Sequence, residues 1–460
     1  MRESGRIPAL VILGLFAVPF SCTEETLLDV ATSEGSGGTD SGQESAPGGT
    51  DTEGEGQPDE IVFTDREIEL IRTRLGKIPM EVVADPSNAY STDAKAALLG
   101  QKFYHDPRYS STGDVSCATC HMPENGFQDS RDATSKGVDG FTGRRAQSHI
   151  NAFIGPDGTN ANFWFWDGRK DSQWSQALGP PESSVEMGST RTKVAMLIFT
   201  SYRDEYESVF GPMVNLMPGG NAIAPETAMP GTAEWDALNS DDQRKISSVF
   251  ANFGKAIDAY ERLLISTGSR FDGFLSDVEE GNFESEALSL EERWGLQLFI
   301  GKGRCITCHN GPALSNNEFR NIGVRQMGPT VPDMDTGREG GIPGVLADEF
   351  NCQGEFSDHP DKDSCMIVGL KMKSEDRGSF KVPPLRDIAT RTPYMHTGVY
   401  SSLLDVIKHY DRGGDADGFV GLRDTAISPL DLTSGERHAL VAFLESLNGE
   451  ALDDALIYGE

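Results

Sequence analysis

Apolar residues recur at helical spacing in several separate stretches of the chain. In the clearest stretch, from Lys245 to Leu264, the spaced apolar positions are Ile246, Val249, Phe250, Phe253, Ile257, Tyr260 and Leu264. Residues three or four positions apart share one face of a helix, so this stretch predicts a long helix with one buried side. Three further stretches are amphipathic in the same way, namely Ser289 to Phe299, Leu403 to Tyr410 and Ser434 to Leu447. Ser289 followed by Glu291 and Glu292 predicts a capped start for the first of these three.

The remaining stretches are mostly predicted loops. Gly, Pro, Asn and Asp cluster between residues 122 and 190 and again between residues 310 and 395. No stretch alternates apolar and polar residues as a half-buried strand does. We therefore expect a mainly α fold with long loops.

Two short helical segments are similar to each other, and each precedes a Cys-x-x-Cys-His sequence. The first is Leu99-Gly100-Gln101-Lys102-Phe103, and the second is Trp294-Gly295-Leu296-Gln297-Leu298-Phe299. This repeat predicts a duplicated unit, and 460 residues are enough for two domains. We expect an N-terminal helical domain over residues 61–275 and a C-terminal one over residues 276–460, joined near residues 268–288.

The first residues have the pattern of an export signal. Arg2 and Arg6 supply positive charge, and the apolar run from Ile7 to Phe20 is short for a membrane span. Because this run ends at Cys22, we expect residues 1–22 to be a lipoprotein-type signal peptide whose cysteine is acylated. The alternative is an ordinary cleaved signal with a stray cysteine. Residues 23–60 are mostly Gly, Ser, Thr, Asp and Glu, which predicts a disordered acidic tether.

The composition narrows the range of partners. The formal net charge is −32, and 37% of the residues are hydrophobic. An acidic surface argues against nucleic acid binding and is compatible with a basic protein partner. Contact with a membrane is expected only through a lipid on Cys22, which would hold the protein at the periplasmic side of a bacterial membrane. Without the lipid, we expect a soluble periplasmic protein.

The strongest chemical signal is the pair of Cys-x-x-Cys-His sequences at residues 117–121 and 305–309. In such a sequence both thiols attach one haem covalently, and the adjacent histidine binds its iron. The rival interpretation is one zinc ion held by four thiolates, but the two pairs lie far apart and each is followed at once by a histidine. We expect two c-type haems, and the residues that hold them are Cys117, Cys120, His121, Cys305, Cys308 and His309.

Two further cysteines, Cys352 and Cys365, lie close together in a polar stretch. In an oxidising compartment the usual state of such a pair is a disulfide that fixes a loop. A second metal site is the alternative, but only His359 lies nearby. The sequence therefore favours a disulfide.

From about Leu98 to Leu447 the chain resembles the bacterial dihaem cytochrome c peroxidases, the family that includes the MauG-type enzymes. Besides the two CxxCH sequences, the motifs that carry the resemblance are Phe165-Trp166-Asp167-Gly168-Arg169, Gln176-Ala177-Leu178-Gly179-Pro180, Glu186-Met187, Val382-Pro383-Pro384-Leu385-Arg386 and Pro393-Tyr394-Met395-His396. Their order covers nearly all of the predicted folded part. The resemblance implies two cytochrome c-like helical domains, each with one haem, and it places Arg386 among the residues that contact a haem.

The resemblance implies that the haem on His121 is the one that meets peroxide. Gln176, Pro180 and Glu186 match the positions of the family's distal pocket. A carboxylate in such a pocket takes a proton from one peroxide oxygen and returns it to the leaving oxygen. The alternative for Glu186 is an exposed loop residue without a catalytic role.

Trp166 matches a tryptophan that lies between the haems in the family and relays electrons there. Core packing alone is the alternative, because a buried tryptophan needs no further reason. The distal histidine that some peroxidases must release has no clear counterpart, and His149 is the only candidate near that loop. We therefore expect the haem on His121 to be open without prior reduction, as in MauG-like proteins.

The sixth ligand of the haem on His309 distinguishes ordinary peroxidases of the family from the MauG-like enzymes. Ordinary peroxidases of the family use a methionine here, and the matching position in this chain is Tyr410, as in the MauG-like variant. A phenolate is a hard anionic donor that stabilises high iron oxidation states. If Tyr410 is only a packed core residue, the remaining candidates are His409, Met395, Met366 and Met372.

The resemblance also implies a calcium ion between the domains. Asn151 matches its side-chain ligand, and the backbone carbonyls of Arg391 and Pro393 match its other protein ligands, as oxygen donors suit this hard cation. The family often has Thr at the position of Arg391. It also typically has Asn and Asp where this chain has Asp387 and Thr397.

Three functions follow from these features. The leading hypothesis is an oxidoreductase of the cytochrome-c peroxidase type that reduces hydrogen peroxide to water with electrons from a small donor protein, either a c-type cytochrome or a cupredoxin. The second, motivated by Tyr410, is a MauG-like enzyme that oxidises residues of a partner protein through a high-valent state of both haems. The third is a plain electron-transfer cytochrome, against which Glu186, Gln176 and Trp166 argue, because a carrier needs no acid–base group.

Overall fold

The computed structural model describes residues 56–131 and 134–459. The expected export signal, the acylated Cys22 and nearly all of the expected tether lie outside the described residues. Within the described residues, no helix is both long enough and apolar enough to cross a membrane.

The described chain is mainly helical, as its patterning predicts. Its α-helices are α1 (Asp65–Arg74), α2 (Ala94–His105), α3 (Cys117–Cys120), α4 (Gln173–Gln176), α5 (Gly179–Glu182), α6 (Arg191–Ser201), α7 (Arg203–Phe210), α8 (Ala233–Asp236), α9 (Ser240–Glu261), α10 (Arg270–Glu280), α11 (Leu290–Ile300), α12 (Arg338–Ala347), α13 (Leu403–Asp411), α14 (Ser434–Glu445) and α15 (Asp454–Tyr458). Its 3-10 helices are Pro107–Tyr109, Pro123–Asn125, Pro218–Gly220, Cys305–Thr307, Ser374–Asp376 and Ile388–Thr390. The antiparallel strand pairs are β1 (Lys136–Gly137) with β2 (Gly140–Phe141) and β3 (Phe319–Arg320) with β4 (Phe380–Lys381).

The predicted helices are confirmed, with small shifts at their ends. The long helix α9 begins at Ser240 rather than Lys245 and ends at Glu261. Helix α11 begins directly after Ser289, whose hydroxyl accepts a hydrogen bond from the Glu292 backbone N–H at 3.2 Å. The Glu292 carboxylate in turn accepts from the Ser289 N–H at 2.8 Å, which completes the predicted cap.

The first hydrophobic core surrounds α9. Helices α2, α4 and α6 pack against it, and Phe103 and Phe253 are stacked and fully buried there. Later parts of the chain return to the same core, because Phe350, Leu452 and Ile457 pack against it. This core therefore draws on residues from both sides of the predicted domain boundary.

The second hydrophobic core surrounds α11 and α14. Phe443 contacts Phe271 and Phe299 there, with ring centroids 5.4 and 5.1 Å away. Helix α1 packs on α10 and α11 and buries Ile71 in this core, although it precedes the first core in the sequence. The boundary near residue 275 stays a prediction, and segments on each side of it pack with the other side.

A glycine lies at a close helix crossing in each core. A Cβ atom on Gly100 of α2 would lie 1.8 Å from the Ala256 carbonyl oxygen of α9. A Cβ atom on Gly295 of α11 would lie 1.9 Å from the Ala439 carbonyl oxygen of α14. Both glycines occupy the same place in the two similar segments that precede the CxxCH sequences. The paired crossings therefore support the duplicated unit that the sequence predicts.

Replacing Gly295 by Ala should lower the free energy of unfolding by about 1–3 kcal/mol, because the added methyl group forces α11 away from α14. Denaturant unfolding of the holoprotein measures this change. Gly273→Ala in α10 is the matched control, since its Cβ would meet only the Ala287 Cβ, at 3.3 Å. Equal destabilisation by both substitutions would contradict the role of the crossing.

Candidate functional site

A cavity of about 800 Å³ is lined by residues of both CxxCH sequences. Cys120 and His121 contribute to its wall on one side, and Cys305, Cys308 and His309 contribute from the second sequence. None of the four CxxCH cysteines forms a disulfide with another described residue. The cavity thus presents to one space the groups that would attach and ligate two c-type haems.

The two CxxCH histidines are oriented in the same way. The His121 Nδ1 lies 2.8 Å from the Gln147 carbonyl oxygen, and the His309 Nδ1 lies 2.9 Å from the Leu314 carbonyl oxygen. A metal-bound histidine usually donates its second ring N–H in this manner, which leaves Nε2 for the metal. Burial lowers the pKa of His309 to about 4 and that of His121 well below its ordinary value, so both rings are neutral at pH 7. These residues fit haem iron.

The zinc interpretation finds no support in the described part of the chain. No group of three or more His, Cys, Asp or Glu side chains converges there as a metal site would require. Each CxxCH sequence stands alone with its own histidine. The geometry fits two separate haem attachments.

His149 lines the cavity directly against His121. The two imidazole rings are stacked with centroids 3.9 Å apart, and the His149 Nδ1 is 2.9 Å from the Glu261 carboxylate. The Tyr104 hydroxyl also lies 3.2 Å from that nitrogen. A ring held in this way against the iron-binding histidine is not placed as a distal ligand. An open position on the haem of His121 stays a prediction.

Glu186 faces the cavity from a backbone that is fixed on two sides. The Val138 N–H, next to strand β1, donates to the Glu186 carbonyl at 3.0 Å, and the Met187 N–H donates to the Pro180 carbonyl at 3.2 Å. Gly137 lies so close that a Cβ there would be 2.5 Å from the Glu186 carbonyl oxygen. The side chain is half-buried, and its charge is close enough to help raise the pKa of Cys120.

Gln176 and Pro180 line the cavity beside Glu186. Gln176 ends α4, which begins after the capping hydroxyl of Ser172 and packs on α9. Pro180 lies in the first turn of α5, where a proline fits because no backbone donor is needed. All three residues that the resemblance assigned to one pocket therefore line this cavity.

Trp166 lies on the cavity wall and is half-buried. Its indole N–H donates to the Arg145 carbonyl at 2.9 Å, and its ring meets the edge of His396 at 6.2 Å. Its own carbonyl accepts from the Lys381 N–H of strand β4 at 2.8 Å. These contacts hold the indole in a single orientation between residues of both halves of the chain.

Tyr410 lines the cavity on the side of the second CxxCH sequence. Burial raises the pKa of its phenol well above the ordinary value, and the nearby Cys305 and Cys308 thiols raise it further. It sits near the end of α13, whose start is capped by the Ser402 hydroxyl. Tyr410 is therefore placed beside the residues that would hold the haem on His309.

Of the four alternative sixth ligands for the haem on His309, only Met395 is among the described residues that line the cavity. His409 is buried away from the cavity wall, with its Nε2 3.0 Å from the Ile322 carbonyl and its Nδ1 3.0 Å from the Tyr400 hydroxyl. Met366 and Met372 are exposed to solvent and are not among the described residues of the wall. Met395 does line the cavity, so it stays an alternative to Tyr410.

Arg386 does not reach the cavity, contrary to the role that the resemblance implied. Its guanidinium donates to the backbone carbonyls of Pro312 at 2.9 Å and Gly76 at 2.8 Å, and to the Ser269 hydroxyl at 3.1 Å. It also pairs with Asp272 at 2.9 Å. Because protein groups already take these donors, we correct the assignment: Arg386 ties distant segments together instead of contacting a haem.

Cys352 and Cys365 are joined by a disulfide with an S–S distance of 2.08 Å. Both are buried with Val345 and Ile367 in a small apolar cluster. The Asp171 carboxylate accepts the Cys352 N–H at 2.7 Å. The bond therefore fixes the loop after α12, as the spacing of the two cysteines predicted.

The residues expected to hold calcium do not fit that ion. The Asn151 side chain is paired on both polar atoms with Ser266, whose N–H donates to its Oδ1 at 3.1 Å and whose carbonyl accepts from its Nδ2 at 2.9 Å. Arg391 is buried, and a second buried arginine, Arg145, donates to the Thr392 carbonyl at 3.1 Å. That carbonyl lies between those of Arg391 and Pro393, so positive charge already stands beside the expected oxygen donors.

Sequence reasoning missed three residues around the cavity. His149 was named only as a distal candidate, and Arg145 and Lys381 were not singled out. Lys381 is buried, donates to the Phe163 carbonyl at 2.6 Å and lies 5.2 Å from the Trp164 ring centroid. Burial lowers its pKa to about 7. Its position directly before the Val-Pro-Pro motif was the available signal.

Comparisons with known proteins agree with this geometry. A family model described as di-haem cytochrome c peroxidase matches residues 94–280. A cytochrome-c peroxidase IdrP1 of Pseudomonas sp. (strain SCT) is 28% identical over 83% of this chain and 89% of the relative. A methylamine utilization protein MauG of Methylorubrum extorquens is 28% identical over 80% of this chain and 82% of the relative.

Solved structures show the same fold. A MauG-like protein associated with microbial copper homeostasis has a TM-score of 0.57 at 22% identity, covering 84% of this chain and 98% of its own. The diheme peroxidase BthA from Burkholderia thailandensis has a TM-score of 0.57 at 18% identity, covering 82% of this chain and 95% of its own. Both CxxCH sequences line one cavity, and over most of its length this chain is similar to dihaem cytochrome c peroxidases and to MauG.

Proposed function

We propose that the protein is a dihaem peroxidase that reduces hydrogen peroxide to water with electrons from a small redox protein. The observation that carries the proposal is the position of Glu186, which faces the cavity beside Gln176 and Cys120 on a fixed backbone. An electron carrier has no use for a carboxylate there, whereas peroxide reduction needs one. Two haems, bound through His121 and His309, would supply the iron redox chemistry.

The protein's own part in the reaction is mainly the movement of protons. Splitting one peroxide into two waters consumes two electrons and two protons. The Glu186 carboxylate takes the proton from one oxygen of bound peroxide and delivers it to the leaving oxygen. Gln176, buried at the end of α4, offers an amide that orients the peroxide without changing its charge.

Electrons would enter on the side of His309 and cross to the side of His121. Trp166 is the aromatic group on the wall with contacts to both parts of the chain, through Arg145 and Lys381. Its fixed indole supports a relay role. The formal net charge of −32 favours a basic donor, such as a small c-type cytochrome or a cupredoxin, at the periplasmic side of the membrane. A lipid on Cys22 would hold the protein there.

Glu186→Gln should reduce peroxide turnover by about 10²-fold or more, since the amide cannot carry the proton. Steady-state kinetics with an artificial one-electron dye donor measures this, with haem content checked by absorbance. Glu124→Gln is the matched control, because Glu124 follows the same CxxCH sequence but is exposed. Turnover of Glu186→Gln at the rate of that control would contradict the proposal.

A second candidate function is supported by Tyr410. An anionic oxygen ligand on the haem of His309 would favour higher oxidation states of its iron than a methionine does. An enzyme of that kind could hold two oxidising equivalents and withdraw electrons from residues of a partner protein, and these electrons would pass through the tryptophan relay toward the side of His121. Peroxide remains the oxidant in both functions.

Tyr410→Met should change the optical spectrum of the haem on His309 and raise its reduction potential, because thioether sulfur favours the reduced iron. Spectroelectrochemical titration of the holoprotein measures both effects. Tyr394→Phe is the control, since Tyr394 also lines the cavity and is not an expected ligand. An unchanged spectrum and potential in Tyr410→Met would shift the assignment to Met395.

A further inference from the structure

Two buried arginines connect the two segments that a calcium ion was expected to join. Arg145 lies just before Asn151 in the sequence, and its guanidinium donates to the Thr392 carbonyl at 3.1 Å. Arg391 lies in the other segment, and its guanidinium donates to the Ile150 carbonyl at 3.4 Å. Each segment thus supplies one cation to the backbone of the other. The Arg145 N–H adds a bond to the His396 carbonyl at 2.9 Å.

The two guanidinium groups carry the formal charge of one calcium ion. Arg145 is 5% exposed and Arg391 is 6% exposed. Burial lowers the pKa of Arg145 to about 10, and the nearby charge of Arg391 contributes to the lowering. Burial also lowers the pKa of Arg391, and the negative charge of Asp387 opposes this lowering. Both groups stay protonated at pH 7, since arginine loses its proton only in strongly basic solution.

Two carboxylates offset part of this charge, since Asp129 acts on Arg145 and Asp387 acts on Arg391. The nearest Asp387 carboxylate oxygen is 3.9 Å from the Arg391 guanidinium. Its other oxygen accepts from the Ser266 hydroxyl at 2.9 Å and the Gly449 N–H at 2.8 Å. The Arg145 Nη1 and the Arg391 Nε have no partner among the described residues, and both side chains line the cavity. These spare donors would suit the carboxylate groups that a c-type haem carries.

A calcium ion would be poorly held at this place. It would meet two guanidinium groups in a buried setting, where like charges repel strongly. It would also lie beside the Arg145 guanidinium, which donates to the Thr392 carbonyl between the two expected backbone donors, and it would compete with the Ser266 N–H for the Asn151 oxygen. Placing a divalent ion beside both buried arginines would therefore cost a large electrostatic free energy.

We propose that Arg145 and Arg391 together take the structural place of calcium in this protein, so that its two haem sites are held together without a bound metal ion. The inference does not rest on peroxide chemistry, and its test is made on the oxidised holoprotein with no peroxide present. A failure of the proposed peroxidase function would appear in turnover alone.

The first test measures the wild-type protein. Metal analysis after gel filtration should find no stoichiometric calcium, and adding EGTA or excess calcium chloride should leave the haem spectrum and the thermal midpoint unchanged. One tightly bound calcium per chain, or a thermal midpoint that EGTA lowers, would overturn the proposal.

The second test exchanges the cations. Arg391→Thr removes one guanidinium and leaves the backbone carbonyl, so the thermal midpoint should fall by about 5–10 °C. Calcium chloride should then restore part of that loss, because one of the two guanidinium charges that repel the ion has been removed. Arg391→Lys is the control, since it keeps the positive charge and should not respond to calcium.

Two outcomes would contradict the replacement of the Arg391 guanidinium by a calcium ion. One is an Arg391→Thr protein that is destabilised but indifferent to calcium, and the other is an Arg391→Lys protein that gains stability from it. If Arg391→Thr does not fold, the calcium content and the EGTA response of the wild type still decide the proposal.

Discussion

Both CxxCH sequences must open onto one shared cavity, and the rest of the site depends on this constraint. The cavity wall is built from two hydrophobic cores, around α9 and around α11 with α14. Each core brings its CxxCH sequence into place by a close helix crossing at a glycine, Gly100 in one and Gly295 in the other. Helix α1 and the Phe350 loop each pack with the core on the far side of the predicted boundary. This exchange of segments resists separation of the two cores.

Within the shared cavity, the two sides differ in chemistry. On the side of His121, a carboxylate and an amide face the space, and these groups suit proton transfer to peroxide. On the side of His309, the phenol of Tyr410 lies near Cys305 and Cys308. Trp166 and the buried cations Arg145 and Lys381 lie along the wall. A duplicated fold has thus acquired two unlike sites through a few side chains on loops and helix ends.

The sequence predicts the parts of this arrangement that depend on neighbouring residues. The α11 cap at Ser289 and the face of α9 follow from local spacing, and so does the pairing of Cys352 with Cys365. The sequence could not predict contacts between distant segments. Arg386 bonds to Gly76, 310 residues away, and this contact removes it from the haem role that its motif suggested. The stacking of His149 on His121 and the crossed arginines likewise depend on loops that carry no periodic pattern.

We expect the two haem positions to be unequal, with the one on His121 open and the one on His309 closed by a side chain. Titration of the oxidised holoprotein with cyanide, a probe for an open haem position, tests this directly when absorbance and electron-spin resonance are recorded together. We expect one cyanide to bind per chain, with a changed signal from one haem and an unchanged signal from the other. Binding of two cyanides, or of none, would contradict it.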